Sequence, residues 1–286
     1  MVSFDSDQAH LAQTIRSLAI ACREAGEWLR WPAKLVLVDN SVAGADAPRL
    51  QALLTGLAPQ LGDALEASLL VAGSNLGYGR ANNLAQAHAD GGPSPDVVLV
   101  LNPDVDLAPD SLGQALAHLH RTPGAALIVP RASNVDGDDL WLAHRYPNPL
   151  LFAARGGLLA RWRERLGPAL DRYEIRDLPP DQAHRETICA SGCFMLMPAA
   201  AWQAAGGFDE RFFVYFEDYD LSTRLRALGT LEYRPDVRIR HLGGGAARKG
   251  GPHARLFLMS ACRFFVKHGW FRQRNRAQAG PPGVLT

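Results

Sequence analysis

The chain has 286 residues, 47% of them apolar, enough to bury one large α/β domain or two smaller ones. Its 30 basic residues nearly cancel its 29 acidic ones, which excludes the global positive field of a nucleic-acid-binding protein and makes any anion binding local. The opening MVSFDSDQAHLAQ lacks the apolar centre of a secretory signal, and no apolar run approaches the ~18 residues of a membrane span, so a cytoplasmic protein is expected.

In chain order, MVSF is a very short first strand or the remainder of a clipped one, because LAQTIRSLAIACREAG behind it has a helical apolar period. AKLVLVDNS (33–41) and LEASLLVAGSN (65–75) are buried strands that end on polar residues. GYGRANNLAQAHA opens with glycines and continues as a helix. DVVLVLNPD (96–104) is the strongest strand, PDSLGQALAHLHRT (109–122) the next helix, and AALIVPRA a further strand. Strands alternating with helices predict an α/β fold with a mostly parallel sheet covered on both faces. Sites in such sheets lie beyond the carboxyl ends of the strands, where Asp39, Asn75, Asp104 and Asp106 all fall.

From 131 to 187 the texture becomes rich in Arg, Pro and Asp, with a helical piece at 150–166; an insertion of that length is usually functional. Order resumes with TICASGCFMLM, a short helix over 199–205, a Gly-Gly turn, an aromatic-acidic loop and a helix from about Asp218. LEYRPDVRIRH is a strand, HARLFLMSACRFFVKHGWFRQRNR a basic apolar helix, and 277–286 a disordered tail. The four cysteines, Cys22, Cys189, Cys193 and Cys262, lack zinc-site spacing and are expected as buried thiols.

Three constellations carry chemistry. GYGRAN (77–82) is close to a dinucleotide-binding fingerprint, but Asn82 replaces its last glycine and it follows a later strand, so a tight strand-helix turn explains it as well as a nicotinamide site does. Asp104 and Asp106, two apart in an extended stretch, share one side and repel unless solvated or bridged by a hard divalent ion, Mg²⁺ or Mn²⁺. FFVYFEDYDL packs Glu217, Asp218 and Asp220 among five aromatic rings, which suits a carboxylate that accepts a proton. Capping of a helix by Asp218 would explain one of these acids and not three. His241, at a strand end, is either a metal ligand or a surface residue.

The order VDNS, GSNLGYGRANN, LNPDVDL, SGCFMLM, GGFDERFFVYFEDYDLSTRL and a final His resembles glycosyltransferase family 2, in particular its bacterial rhamnosyltransferase-like members, over roughly residues 2 to 268. The resemblance implies a single GT-A domain: a nucleotide-sugar half (1–130), an acceptor half (131–241) that includes the insertion, and a basic amphipathic segment (242–276). It implies inverting transfer from a dTDP- or UDP-sugar, with dTDP-L-rhamnose favoured, to a glycan or lipid-linked acceptor of cell-surface polysaccharide such as O-antigen. By the same resemblance Asp39, Asn75, Gly79 and Asn82 surround the nucleotide. Asp104 and Asp106 hold the divalent ion on the diphosphate with His241 in its shell, and Asp218, beside Glu217, is the general base. The clipped first strand departs from the family pattern and touches the contacts of Ser3 and Asp5.

In the insertion, Trp141, His144, Arg145 and Tyr146 suit an acceptor pocket, or ordinary loop packing. The last helix places Leu256, Phe257, Phe264, Phe265, Val266, Trp270 and Phe271 beside Arg255, Arg263, Lys267, Arg272, Arg274 and Arg276, a pattern for peripheral contact with the inner face of an anionic bilayer. The alternative is packing on its own domain or on a second subunit of a homodimer. Two rival readings stand beside the transferase: an NAD(P)-dependent oxidoreductase, and a non-catalytic nucleotide- or carbohydrate-binding domain.

Overall fold

Alternation along one strand sets the architecture. In AKLVLVD, Leu35 and Leu37 enter a core with Leu11, Ile15, Leu50 and Leu54, while Val36 and Val38 face the other way and pack with Ala81 and Ala85. A strand buried on both faces needs helices on both sides, and the computed structural model, which describes residues 1–29, 32–89, 95–155, 163–243 and 251–270, supplies them. The first half runs β1 (Val2–Ser3), α1 (Gln8–Ala25), β2 (Ala33–Asp39), α2 (Ala47–Leu61), β3 (Leu65–Val71), α3 (Tyr78–Ala89), β4 (Val97–Leu101), β5 (Val105–Leu107), α4 (Ser111–Arg121) and β6 (Ala125–Ser133). The second half runs β7 (Asp139–Leu140), β8 (Ala143–His144), α5 (Pro149–Arg155), α6 (Arg163–Tyr173), β9 (Cys189–Ala190), β10 (Phe194–Pro198), α7 (Ala199–Ala205), α8 (Glu217–Leu225), β11 (Thr230–His241) and α9 (Gly251–His268).

The pairing is mixed. β1, β2 and β3 are parallel neighbours, and β11 runs parallel to β6. The expectation of a mostly parallel sheet fails at β10, which lies antiparallel between β4 and β6, and at β5, antiparallel to β11. β10 follows a long excursion through residues 134–193, so it is not tied to the right-handed crossover that forces parallel pairing. β1 is short: Val2 and Ser3 pair with Val38 and Asp39. A cavity of about 520 Å³ lies between β2 and β4, lined among others by Val36, Val98 and Leu101, so the two sheets are not joined by hydrogen bonds. The Met1 amino group is buried there, donates to the Val36 carbonyl at 3.1 Å, and is pushed down to about 5 by burial.

The sequence reading assigns no element to 47–61, where α2 stands. Its Leu50, Leu54, Leu57 and Leu61 do carry the helical period, and Pro48 is tolerated in the first turn. The predicted helix at 150–166 is two: α5 and α6, with 156–162 outside the described residues. Three of the four cysteines are buried as expected, and Cys262 is exposed. The tail at 277–286, and Phe271, Arg272, Arg274 and Arg276 with it, lie outside the described residues.

The second half is pinned by aromatic packing. Phe216 meets the rings of Phe152, Tyr219, Phe257, Phe264 and Phe265 at centroid distances from 5.2 to 6.2 Å. That packing fixes α9 on its own domain through Phe264 and Phe265. Trp141, His144, Arg145 and Tyr146 also serve packing. Arg176 covers the Trp141 ring, His144 stacks on Tyr173, Arg145 binds Asp177 at 2.7 Å, and the Tyr146 hydroxyl donates to the Gly269 carbonyl at 2.6 Å. These four contacts hold the insertion to the domain.

The junction of α8 and α9 is ionic. Asp220 is fully buried, and its carboxylate meets Lys267 at 2.6 Å, His268 at 2.7 Å and Arg224 at 2.8 Å. Burial pushes its pKa up, but hydrogen bonds from His268 and Lys267 and the Arg224 charge outweigh that and hold it below the ordinary carboxylate range. A carboxyl depressed on folding adds stability above its unfolded pKa and loses it as pH falls through the folded one. Asp220→Ala should therefore lower unfolding free energy by about 3–5 kcal/mol at neutral pH in denaturant titration. It should also flatten the loss of stability on the acid side; an unchanged acid arm would contradict this account.

Candidate active site

Asp39 and Asn40 end β2 and are both buried. Asp39 Oδ1 accepts the Ser41 N–H at 2.9 Å, whereas Oδ2 has no donor. The Ser3 hydroxyl, on the residue paired with Asp39, is also buried without a partner. Two orphaned polar atoms at a parallel strand mouth suit a polar ligand, because burial without partners costs each group roughly 1–3 kcal/mol. Asn40, which the sequence reading passes over, fixes the neighbouring loop: its Oδ1 accepts the Leu76 N–H at 2.9 Å and its Nδ2 donates to Asn75 at 3.1 Å. Asn75 then accepts the Gly77 N–H at 3.0 Å, so its side chain oxygen is spent on the loop.

The Gly-rich stretch is used for close packing. Gly77 has a φ of 80°, and a Cβ there would collide with the Phe213 carbonyl, which also accepts the Tyr78 N–H at 2.9 Å. A Cβ on Gly79 would meet the Phe208 Cβ at 2.9 Å. Asn82 is buried and donates to the Tyr78 carbonyl at 3.0 Å. Gly79 thus seats α3 against the segment that leads into α8, while the Asn82 amide bonds within α3. The nicotinamide reading loses its fingerprint by the same packing.

Asp104 sits in the turn between β4 and β5. Its Oδ1 is buried without a hydrogen bond, 3.7 Å from His241 Nε2, and the His241 Nδ1 faces the Gly243 carbonyl. An imidazole that donates Nδ1–H to a carbonyl leaves the Nε2 lone pair free, the tautomer a metal ligand needs. A donor-less carboxylate oxygen and a free imidazole nitrogen at this separation fit a divalent ion. Among the described residues no group of three or more His, Cys, Asp or Glu could hold a metal, so diphosphate oxygens and water would complete the shell. The segment past β11 presses on Asp104 so closely that a side chain at Gly243 would overlap the carboxylate. Gly244 and Gly245 lie outside the described residues.

Asp106 Oδ1 accepts from Gln13 at 3.1 Å and its Oδ2 from Arg240 at 2.7 Å. Alternation along a strand, the basis for pairing it with Asp104, does not apply, because β5 begins at Val105 and Asp104 is in the turn before it.

Across the mouth stands Asp218, in the first turn of α8. Tyr215 and Phe216, just before the helix, have φ of 69° and 64°, a left-handed pair costing on the order of 1–3 kcal/mol each. The rings around Phe216 hold that turn in place. Asp218 is half-buried; Oδ2 accepts the Gly192 N–H at 2.9 Å and Oδ1 the Tyr219 N–H at 2.8 Å. The cap position is Phe216, so capping does not account for Asp218. Burial pushes Asp218 up to about 6, against hydrogen bonds that favour its charge. Glu217, more deeply buried with an orphaned Oε2, is pushed well above the ordinary carboxylate range by burial and by the Asp218 charge. The Cys193 thiol, just before β10, is raised by burial. The loop links the two carboxylates: the Gly192 N–H donates to Asp218, and the Cys193 carbonyl accepts the N–H of Asn102, two residues before Asp104. Following the Asp218 carboxyl carbon by NMR through a pH titration should give a midpoint near 6; an ordinary carboxylate midpoint would show that the enclosure is open to water.

The chain matches no protein-family model. It is 31% identical over 281 residues to the N-acetylglucosaminyl-diphospho-decaprenol L-rhamnosyltransferase of Mycobacterium tuberculosis, covering 92% of this chain and 82% of the relative. It is 24% identical over 221 residues to the rhamnosyltransferase WbbL of Escherichia coli, covering 72% and 76%. Among solved structures, GalNAc-T7 with UDP, GalNAc and Mn²⁺ matches with a TM-score of 0.54 at 13% identity, over 82% of this chain and 41% of that one. S. aureus TarS 1-349 matches with a TM-score of 0.52 at 14% identity, over 84% and 58%. At such identities the structural likeness speaks for the fold alone.

Proposed function

The chain belongs to glycosyltransferase family 2, with the GT-A fold and with bacterial rhamnosyltransferases among its relatives, and on that premise we propose that it transfers L-rhamnose from dTDP-L-rhamnose to a lipid-linked glycan in cell-surface polysaccharide synthesis, inverting the anomeric carbon. The Mycobacterium tuberculosis relative acts on a sugar carried by diphospho-decaprenol, which supports a lipid-linked acceptor.

The observation that carries the reading is the link between two carboxylates: the Gly192 N–H donates to Asp218 Oδ2, the neighbouring Cys193 carbonyl accepts the N–H of Asn102, two residues before Asp104, and Asp104 has an orphaned oxygen opposite His241. Asp104 and His241 would hold a divalent ion, which would supply Lewis-acid stabilisation of the leaving diphosphate's charge. Asp39, with the Ser3 hydroxyl, binds the nucleoside. Asp218 accepts the proton of the acceptor hydroxyl as its oxygen attacks the anomeric carbon from the face opposite the diphosphate. The bond to the diphosphate breaks with its electron pair leaving on the diphosphate, so one C–O bond forms as another is lost. Asp106 ties β5 to α1 through Gln13 and to β11 through Arg240, and would leave the ion to Asp104 and His241.

Asp218→Asn should cut kcat by about a hundredfold or more with donor affinity nearly unchanged. Asp104→Asn should abolish the dependence of nucleotide binding on Mn²⁺ or Mg²⁺ in calorimetry. Asp218→Asn with full turnover would remove the base, and metal-dependent binding retained in Asp104→Asn would remove the ion from this site.

The acceptor's lipid brings the protein to the inner face of the membrane through α9. No helix among the described residues is long and apolar enough to cross a bilayer. While Phe264 and Phe265 are buried, Leu258 (63% exposed), Met259 and Val266 (75%) form an outward apolar stripe near Arg255, with Trp270 exposed just beyond. Sedimentation with vesicles containing anionic lipid should capture the protein, and Leu258→Glu/Val266→Glu should release it without loss of fold. Equal sedimentation of that variant would assign the stripe to another use, such as a second copy of the chain.

A further inference from the structure

Tyr78 opens α3 in the nucleotide half, yet its hydroxyl lies 2.7 Å from the Gly192 carbonyl and 2.9 Å from the Asn102 side chain. Both partners are carbonyl oxygens that accept the phenol's single proton, and the Gly192 carbonyl is the nearer. Each partner leads to one side of the cleft. Asn102 is two residues before Asp104, and its N–H donates to the Cys193 carbonyl at 2.9 Å. The Gly192 N–H donates to Asp218 Oδ2 at 2.9 Å.

Gly192 is held on both sides. A Cβ there would stand 3.3 Å from the Asp218 Cβ and 3.3 Å from the Tyr78 ring, so glycine alone fits without displacing one of them. The ring itself is fixed edge-on to Phe208 at 5.9 Å, and its backbone N–H is tied to Phe213. The hydroxyl is thus a rigid post joined to the loop that aims Asp218 and to the loop that carries Asp104.

We propose that Tyr78 is a positioning residue for glycosyl transfer: its hydroxyl fixes Gly192, and Gly192 in turn holds Asp218 at its working distance from the Asp104 side of the cleft. The inference rests on the reading of Asp218 as the general base. The hydroxyl touches neither the departing diphosphate nor the acceptor; it acts through a backbone amide. Losing it leaves the Gly192 carbonyl without its donor and lets the 191–193 loop drift, and misplacement of a reacting group by about 1 Å can cost up to ~100-fold in rate.

The test is a kinetic cycle with Tyr78→Phe, which keeps the ring. Tyr78→Phe should lower kcat by about tenfold or more while the donor KM stays within about twofold. Adding it to Asp218→Asn should cost nearly nothing further, because the post has no base left to aim. A kcat within about twofold of the native protein, or effects that multiply in the double variant, would overturn the proposal. Asp218→Asn with native turnover would instead refute the base, so the two failures are distinguishable. Should Tyr78→Phe fail to fold, Gly192→Ala probes the same link from the other side. It predicts the same loss of kcat at steady KM, and a native kcat would count against the proposal.

Discussion

A carboxylate oxygen buried without a donor is the constraint on which the site depends. Asp104 Oδ1 has no hydrogen bond within the chain, and His241 Nε2 lies 3.7 Å away. A buried oxygen without a donor is costly, and a divalent ion bound with a diphosphate would compensate it. Asp106, by contrast, accepts from Gln13 and Arg240.

The opposite wall obeys the inverse logic. Asp218 is kept chargeable by two backbone N–H groups, while burial lifts its affinity for a proton toward neutrality. That balance needs a fixed geometry, and the chain spends considerable packing on it. A left-handed turn at Tyr215 and Phe216 aims the first turn of α8, and an aromatic cluster with Phe152, Phe257 and Phe264 holds the turn. The ionic lock of Asp220 with Lys267 and His268 then fastens α8 to α9. α8 and α9 are thereby one packed unit.

Much of this was legible in the sequence because strand mouths are local features. Asp39, Asp104 and His241 stand where polar residues end apolar runs, and Asp218 where acids sit among rings. The rest is long-range. Asp106 pairs with Arg240, Asn40 with the 75–77 loop and Tyr78 with Gly192, and no local period announces a contact across 114 residues. Strand alternation does not relate Asp104 to Asp106, because the strand begins at Val105. α2 carried a clear leucine period, obscured by Pro48 and Pro59. The glycines of GYGRAN were conspicuous for a real reason, close approach of backbone, but the approaching group is Phe213 or Phe208 in place of a phosphate.

The central claim is that one carboxylate and one histidine grip the ion on the leaving group while Asp218 waits across the cleft. The direct measurement is a crystal structure with Mn²⁺ and dTDP, recorded with anomalous scattering from manganese. The account predicts a single anomalous peak within bonding distance of Asp104 Oδ1 and His241 Nε2, bridged to the diphosphate and facing Asp218. A peak on Asp106, or an ion bound away from His241, would contradict it.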